Sequence, residues 1–510
     1  MTDARIERAA NPKTTASKLN YQIIVQMSDL PLADIQGFIL RTYAMPILRV
    51  FALKVAKPQP ARQFLSELVN GAGCSHGDKG LQLATAIEWI VKPEYCLNVG
   101  FTYTGLAALG LSPASLASFP EEFAAGAVAR AERVGDTGES GPEHWKGELA
   151  CPELHVLLFL FAQTEDILKQ VSGQLRNGYS AKGAMSELSV HDGKSLAGNT
   201  AHFGYRDGFA QPTIEGGLSS AMPDVLPKAP AGEFLLGYPS QYTDFTYPVP
   251  VPAALGLNGS FVAFRVLAQD CHGFEQFLTE SAHQTGLDRE LIAAKLCGRW
   301  RNGVPLSLSP DFPDEQIPFE QRNSFDYMPS ESVPNAFDDR RGYRCPLGSH
   351  IRRMNPRNSI VAGNAGLRHR IIRRGLPYGP PYDPANPHDG IERGLLGMFI
   401  GVSIKDQFEF LMSDWANKGS LAPGLRDTRD PIIGNNGRDG DNENSNYIGT
   451  FLLPVEGQKR PIELTGLSRF VTCHGAAYCF LPSVAAIRYI SSLPDAASFE
   501  RAEHGAIHNE

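Results

Sequence analysis

Apolar and β-branched residues crowd together in PILRVFALKV (46–55), and the pattern then switches in ARQFLSELVN (61–70) to the three-to-four-residue spacing of an amphipathic helix. A strand followed by a helix is the reading, with Gly71 as the helix stop. DIQGFILRTY, TAIEWIV and CLNVGFTY read as further strands, TGLAALG and PEEFAAGAVARAERVG as short helices, and ELHVLLFLFA followed by TEDILKQVSGQL as a second strand and helix. The second half repeats the scheme. GSFVAFRVLAQD leads into CHGFEQFLTES, GLLGMFIGVSI into KDQFEFLMSDWAN, and AAYCFLPS with VAAIRYISSL supplies one more strand and helix. Two strand–helix pairs per half predict a duplicated α+β unit, with antiparallel sheets covered by helices on one face. A duplicated α/β arrangement is the rival.

The expected organisation is a polar leader (1–20), an N-terminal module (21–222), a Pro- and Gly-rich linker (223–252), a C-terminal module (253–498) and a polar tail (499–510). Irregular stretches are expected from about Pro305 to Pro346 and from Leu376 to Asp389, and GNNGRDGDNENSN reads as a solvated loop without the ligand spacing of a calcium hand. With 510 residues, 42% of them hydrophobic and 20% charged, the composition is that of a globular protein. A net charge of -8 argues against nucleic acid or an anionic membrane as the main partner, so a small molecule or cofactor is expected. No apolar run reaches membrane-span length, the first twenty residues lack the apolar region of a signal peptide, and the eight cysteines are scattered without a zinc-like spacing. These features predict a cytoplasmic protein with reduced thiols.

Two segments concentrate chemistry. CPLGSHIRRMNPR (Cys345 to Arg357), followed by RHRIIRRGLPYG (Arg368 to Gly379), packs a histidine and many arginines into an acidic protein. A solvated basic turn is the plain reading. A site for an anionic group beside a metal-ligating imidazole is the other. In HFGYRDGFAQPTIEG (His202 to Gly216), Asp207 stands in GYRDG, where glycines let the backbone turn sharply and approach a ligand. Spacing alone does not separate this from an ordinary Asp-Gly turn.

Together these segments resemble the dye-decolorizing peroxidases, in particular their longer members. GYRDGFAQP matches the family's GxxDG signature, and CPLGSHIRRMNPR and IIRRGLPYG match its proximal-histidine and distal-arginine segments. DIQGFILRTY, NVGFTYTGLAALGL, GLLGMFIGVSIKDQFEFLMSDWAN and GAAYCFLPSVAAI follow the family's order, so the resemblance spans nearly the whole chain. It implies two ferredoxin-like modules with haem b (iron protoporphyrin IX) in the C-terminal one. It also implies that His350 ligates the iron, that Asp207 is the distal carboxylate and Arg373 the distal arginine, and that Arg357 holds a haem propionate. Arg374 competes for the arginine role. Asp430 is the candidate carboxylate behind His350, with Asp427 and Asp439 as competitors. The implied activity is the oxidation of dyes, phenols or other bulky one-electron donors by hydrogen peroxide, in a monomer or weak homo-oligomer. A haem carrier or sensor without significant turnover is the alternative. Cys345 and His369 are competing iron ligands, His474 is a core histidine in its plain reading, and Trp89, Trp145, Trp300 and Trp415 are available as electron relays.

Overall fold

The apolar runs of both halves enter a single eight-stranded sheet. β1 (Ile47–Val55), β2 (Tyr95–Phe101), β3 (Val156–Ala162) and β4 (Met185–Lys194) come from the first half of the chain. β5 (Ser260–Gln269), β6 (Ile372–Tyr378), β7 (Gly394–Gly401) and β10 (Val471–Leu481) come from the second, while β8 (Gly449–Leu453) and β9 (Ile462–Leu467) form a separate hairpin. The computed structural model describes residues 30–70, 80–217, 225–242, 245–359, 367–437 and 449–494. The expected leader (1–20) and tail (499–510), Gly71, Cys74 and Asp439 lie outside the described residues.

The strand order is β4-β1-β3-β2-β10-β5-β7-β6, antiparallel throughout. Each half places its fourth strand beside its first, and its third between first and second, which is the ferredoxin-like order. Helices Pro58–Val69 and Glu165–Ser180 make the crossovers of the first half. Helix Cys271–Thr285 and the segments Ile404–Glu409 and Leu411–Ala416, wound with π turns, make those of the second. The halves join edge to edge at Phe101 and Phe480. At the other end the sheet curls until Gly193 of β4 meets β6, so closely that a Cβ there would lie 3.1 Å from Leu376 Cβ and from the Pro377 carbonyl. The result is a barrel.

Alternation along the strands builds two cores. Phe51, Leu53 and Val55 of β1 face the helices, whereas Leu48, Val50 and Ala52 pack with Phe159, Phe264 and Met398 on the face that the curl turns inward. Each such large apolar side chain contributes roughly 1.5–3 kcal/mol on full burial.

Several elements differ from the sequence expectation. GFIL within DIQGFILRTY is a short helix, Gly37–Leu40, rather than a strand. TAIEWIV contributes one isolated bridge at Thr85 and then leaves the core, with Ile90 and Val91 exposed. Its β propensity is overridden because β2 already has β3 on one side and β10 on the other. The expected linker is packed instead of free: Phe234, Leu235 and Tyr238 are buried in the inward core. Asn435 and Asn436, in the run read as solvated, are buried too. β4 and β6 escaped notice, since MSELSVHDGK is polar on both faces and IRRGLPY carries two arginines and a proline.

Candidate active site

The helical face of the second half-sheet forms the floor of a cavity of about 640 Å³, within the range of small-molecule and cofactor pockets. On that floor Gly375 of β6 and Gly397 of β7 are register partners, and Arg265 of β5 is the partner of Gly397 on the other side. Two adjacent strands thus present bare backbone at one spot, flanked by Phe399 and Leu395. A Cβ on Gly397 would sit 3.0 Å from the Phe399 ring and reduce that space.

His350 lines the same cavity from the first position of a short helix, His350–Met354. Its Nδ1 is 3.0 Å from Oδ2 of Asp430, whose side chain is fully buried. Burial pushes the Asp430 carboxyl up, but the His350 imidazole, the Ile433 amide and the Arg353 charge outweigh it and hold the group below the usual carboxylate range. An ionised Asp430 only accepts, so Nδ1 carries the proton and the Nε2 lone pair is left available. Oδ1 of Asp430 accepts from the amides of Ile432 (2.8 Å) and Ile433 (3.0 Å), which fixes the carboxylate's orientation. Asp427, the competing carboxylate, is exposed.

The arginines after His350 are not a solvated basic turn. Arg352 and Arg353 are buried. Arg352 pairs with Asp339 at 3.0 Å and donates to the Cys345 carbonyl, and Arg353 donates to the carbonyls of Gly348, Trp415, Lys418 and Thr428 and to the Thr428 hydroxyl. The surface reading failed because backbone carbonyls from three neighbouring loops supply the acceptors that water would otherwise supply.

Arg357 lines the cavity, donates to the Phe325 carbonyl (2.8 Å) and to Asn323 Oδ1 (2.7 Å), and stacks on Phe325 at 4.0 Å. Arg299, which the sequence reading did not single out, shares Asn323 Oδ1 at 3.2 Å and also lines the cavity. Burial and then the Arg357 charge push its pKa down to about 10. Tyr327 lies between these arginines and Arg352, fully buried, with no hydrogen-bond partner for its hydroxyl. Two buried guanidiniums side by side, with an unsatisfied hydroxyl in the same wall, suit an anionic group.

Arg373 of β6 donates from Nη2 to the Phe209 carbonyl at 2.8 Å, two residues after Asp207 in the chain, and Arg299 stacks on the ring of the same Phe209 at 4.9 Å. Asp207 lines the cavity on an exposed turn, where its Oδ1 accepts from the Gly208 amide at 2.7 Å. Gly208 has φ +92°, and Gly204 has φ +83° with the Arg301 side chain where a Cβ would be, so the turn demands glycine at both places. Arg374 also lines the cavity, but its guanidinium is taken up by the carbonyls of Phe38, Arg41 and Ile39, with Nη1 3.5 Å from Gln211 Oε1.

The remaining sequence candidates lie elsewhere. Cys345 is buried against Gly298. His369 donates from Nδ1 to the Asp406 carbonyl (2.6 Å) and stacks on Phe410, while His474 meets Glu392 at 3.1 Å. Trp89, Trp145, Trp300 and Trp415 have ordinary packing or backbone partners. A buried ion pair at the cavity wall, Arg265 with Asp136 at 2.6 Å, was also missed. A charge in the middle of the apolar run SFVAFRVLAQ was its signal.

This donor set meets the needs of a flat, dianionic, iron-bearing group: bare floor, one available imidazole nitrogen, and buried cations in the wall. Comparison with known proteins agrees. Residues 81–200 match the family model of the DyP dimeric alpha+beta barrel domain. The chain is 30% identical over 427 residues to a dye-decolorizing peroxidase of Mycena epipterygia, covering 79% of this chain and 77% of that one. It is 28% identical over 490 residues to Peroxidase 2 of Mycetinis scorodonius, covering 90% and 87%. The crystal structure of a decolorizing peroxidase from Auricularia auricula-judae aligns with a TM-score of 0.73 at 25% identity, covering 91% of this chain and 100% of that one. A dye-decolorizing peroxidase solved with 2,6-dimethoxyphenol aligns with a TM-score of 0.72, at the same identity and coverage. With a ferredoxin-like duplication closed into a barrel and this cavity on its second half, the chain belongs to the dye-decolorizing peroxidase family and is a peroxidase.

Proposed function

We propose that the cavity holds haem b, with Nε2 of His350 on the iron, Arg357 and its neighbour Arg299 facing the propionates, and Asp207 and Arg373 on the peroxide side. The observation that carries this reading is that His350, backed through Nδ1 by a buried carboxylate, lines the same cavity as Arg373. When bound, haem accepts two electrons' worth of oxidation from hydrogen peroxide and returns to rest by two one-electron steps from donors.

The chain's own groups have separable tasks. Asp430 retains the proton on His350 Nδ1 and so raises the electron donation of Nε2. Asp207 takes the proton from the inner oxygen of hydrogen peroxide and returns it to the outer one, acting first as base and then as acid. The Arg373 guanidinium stabilises the charge that develops on the departing oxygen. Its bond to the Phe209 carbonyl ties that guanidinium to the turn bearing Asp207, which supports a shared role for the two groups. Phe209 and Phe399 give this part of the cavity apolar walls that limit competing water.

For donors, the relative solved with 2,6-dimethoxyphenol supports phenols, and the family name supports dyes. Residence in the cytoplasm is part of the proposal. Among the described residues seven cysteines are free thiols and six of them are buried, which suits a reducing compartment. Protein alkylated at harvest should show all eight cysteines reduced.

The test is reconstitution of the purified protein with haemin, followed by rapid mixing with one equivalent of hydrogen peroxide. A Soret band that shifts within the mixing time and recovers on adding a phenol supports the reading. His350→Ala should lose the haem; retention of both haem and turnover would remove His350 from its role.

A further inference from the structure

We propose that Arg353 is a positioning residue that holds Asp430 at hydrogen-bonding distance from His350, an inference that rests on the cofactor reading above. Arg353 is not among the residues that line the cavity. Its side chain is fully buried, and it ties together the three pieces of chain from which the pair is built.

A guanidinium has five N–H donors in one plane. In Arg353, Nε donates to the Gly348 carbonyl (3.1 Å), two residues before His350. Nη1 donates to the carbonyls of Trp415 (2.9 Å) and Lys418 (3.1 Å), at the end of the π-wound segment. Nη2 donates to the carbonyl (2.9 Å) and hydroxyl (3.0 Å) of Thr428, two residues before Asp430. The same three pieces meet again at the carboxylate's own backbone, where the Asp430 amide donates to the Ala416 carbonyl at 2.6 Å. Nothing in the local sequence brings His350 and Asp430 together, since they are 80 residues apart. The short helix carrying His350 has five residues and no side-chain cap, so it has little rigidity of its own.

The geometry explains why arginine is needed. Lysine has three donors on one atom and cannot reach acceptors spread over three segments in a plane. With fewer anchors the 428–430 segment is free to relax, and the hydrogen bond to Nδ1 weakens steeply with length and angle. Partners behind a metal-bound histidine are each worth roughly 10–100-fold in affinity for the metal group, and they set the electron donation of the ligand. A role through Asp430 therefore differs from a purely structural one in what it moves.

The experiment uses the haem-reconstituted full chain as wild type, Asp430→Asn, Arg353→Lys and the double variant. Two properties are read: the midpoint potential of the ferric–ferrous couple, and the rate of haem transfer to an apoprotein acceptor. Asp430→Asn weakens the electron donation of His350, so the midpoint should rise and haem should leave faster. The expected result is that Arg353→Lys shifts both properties in the same direction, with haem loss roughly 10–100-fold faster, and that the double variant goes no further than Asp430→Asn alone. If Arg353→Lys melts earlier but keeps the wild-type midpoint and haem-transfer rate, the inference is overturned. Independent, additive shifts overturn it as well. Should Arg353→Lys not fold, Thr428→Val removes one acceptor only and is read by the same criteria. Failure of the wild type to take up haem overturns the cofactor reading together with this one, whereas a loaded wild type with unmoved Arg353 variants overturns this one alone.

Discussion

Arg373 and Arg374 are consecutive in β6 and point their guanidiniums to opposite sides of the sheet. The first reaches the carbonyl of Phe209, on the turn that bears Asp207, and the second reaches carbonyls of the segment 38–41. Strand geometry alone produces this division, because successive side chains alternate between faces. Substituting the two residues should therefore give opposite phenotypes.

Arg373→Leu removes charge stabilisation on the peroxide side. The reaction with hydrogen peroxide should slow by roughly 100–1,000-fold, while the Soret band and melting temperature stay close to wild type. Stopped-flow absorbance against peroxide concentration measures it.

Arg374→Leu, by contrast, strands several backbone carbonyls and leaves the peroxide side intact. Stability should fall by about 3 kcal/mol, read by denaturant titration, with the rate per folded molecule unchanged.

The bare floor is tested by filling it. Gly397→Leu should fold as apoprotein, because the added side chain has the cavity to enter, yet its haem loading should drop at least about tenfold, as expected for a side chain lost space costs of a few kcal/mol. Titration with haemin followed at the Soret band reads the loss, and circular dichroism of the apoprotein checks the fold.

Asp207→Asn keeps the size and the turn but removes the base. A slowing of up to about 100–1,000-fold in the peroxide reaction is expected at neutral pH. An unchanged rate would leave Asp207 a purely positioning role.

Glu233 gives a pH signature outside the site. Its carboxyl is fully buried, one oxygen accepts from the Gln241 amide and the other has no partner. Burial raises its pKa, with the Gln241 amide and Arg370 opposing. A raised folded value means that the group favours folding below its unfolded pKa and loses that contribution as the pH rises through the folded one. Glu233→Gln should therefore match wild type below about pH 4 and be more stable by about 1 kcal/mol at pH 8, in melts run across that range.

Much of this was legible in the chain. The apolar runs that became β1, β3, β5, β7 and β10 declare themselves because both of their faces are buried, and the GYRDG and HIRRMNPR segments carry the site's chemistry in short, dense words. What stayed hidden depends on distant partners. β4 is polar on both faces and exists because β1 offers it an edge. Arg299 acquires meaning only beside Arg357 and Asn323, and Arg353 reads as a surface cation until three loops are seen to close over it. The choice between Arg373 and Arg374 turns on which acceptors each guanidinium reaches, the turn at Phe209 for one and the segment 38–41 for the other, and those acceptors lie far away in the sequence.

The barrel's seam also dictates an order of assembly. Gln36 donates from Nε2 to the Pro482 carbonyl, 446 residues away, and the Val484 amide donates to the Asp34 carbonyl, while helix Val484–Ser491 packs on helix Pro58–Val69. At a synthesis rate of about 5–20 residues per second, the segment that closes the first half leaves the ribosome roughly 20–90 s after the residues it covers. During that interval the free edge of β2 has no neighbour on the side that β10 will take. Contacts of such long sequence separation are slow to form. The cavity, whose floor includes strands made last, is therefore completed only near the end of synthesis.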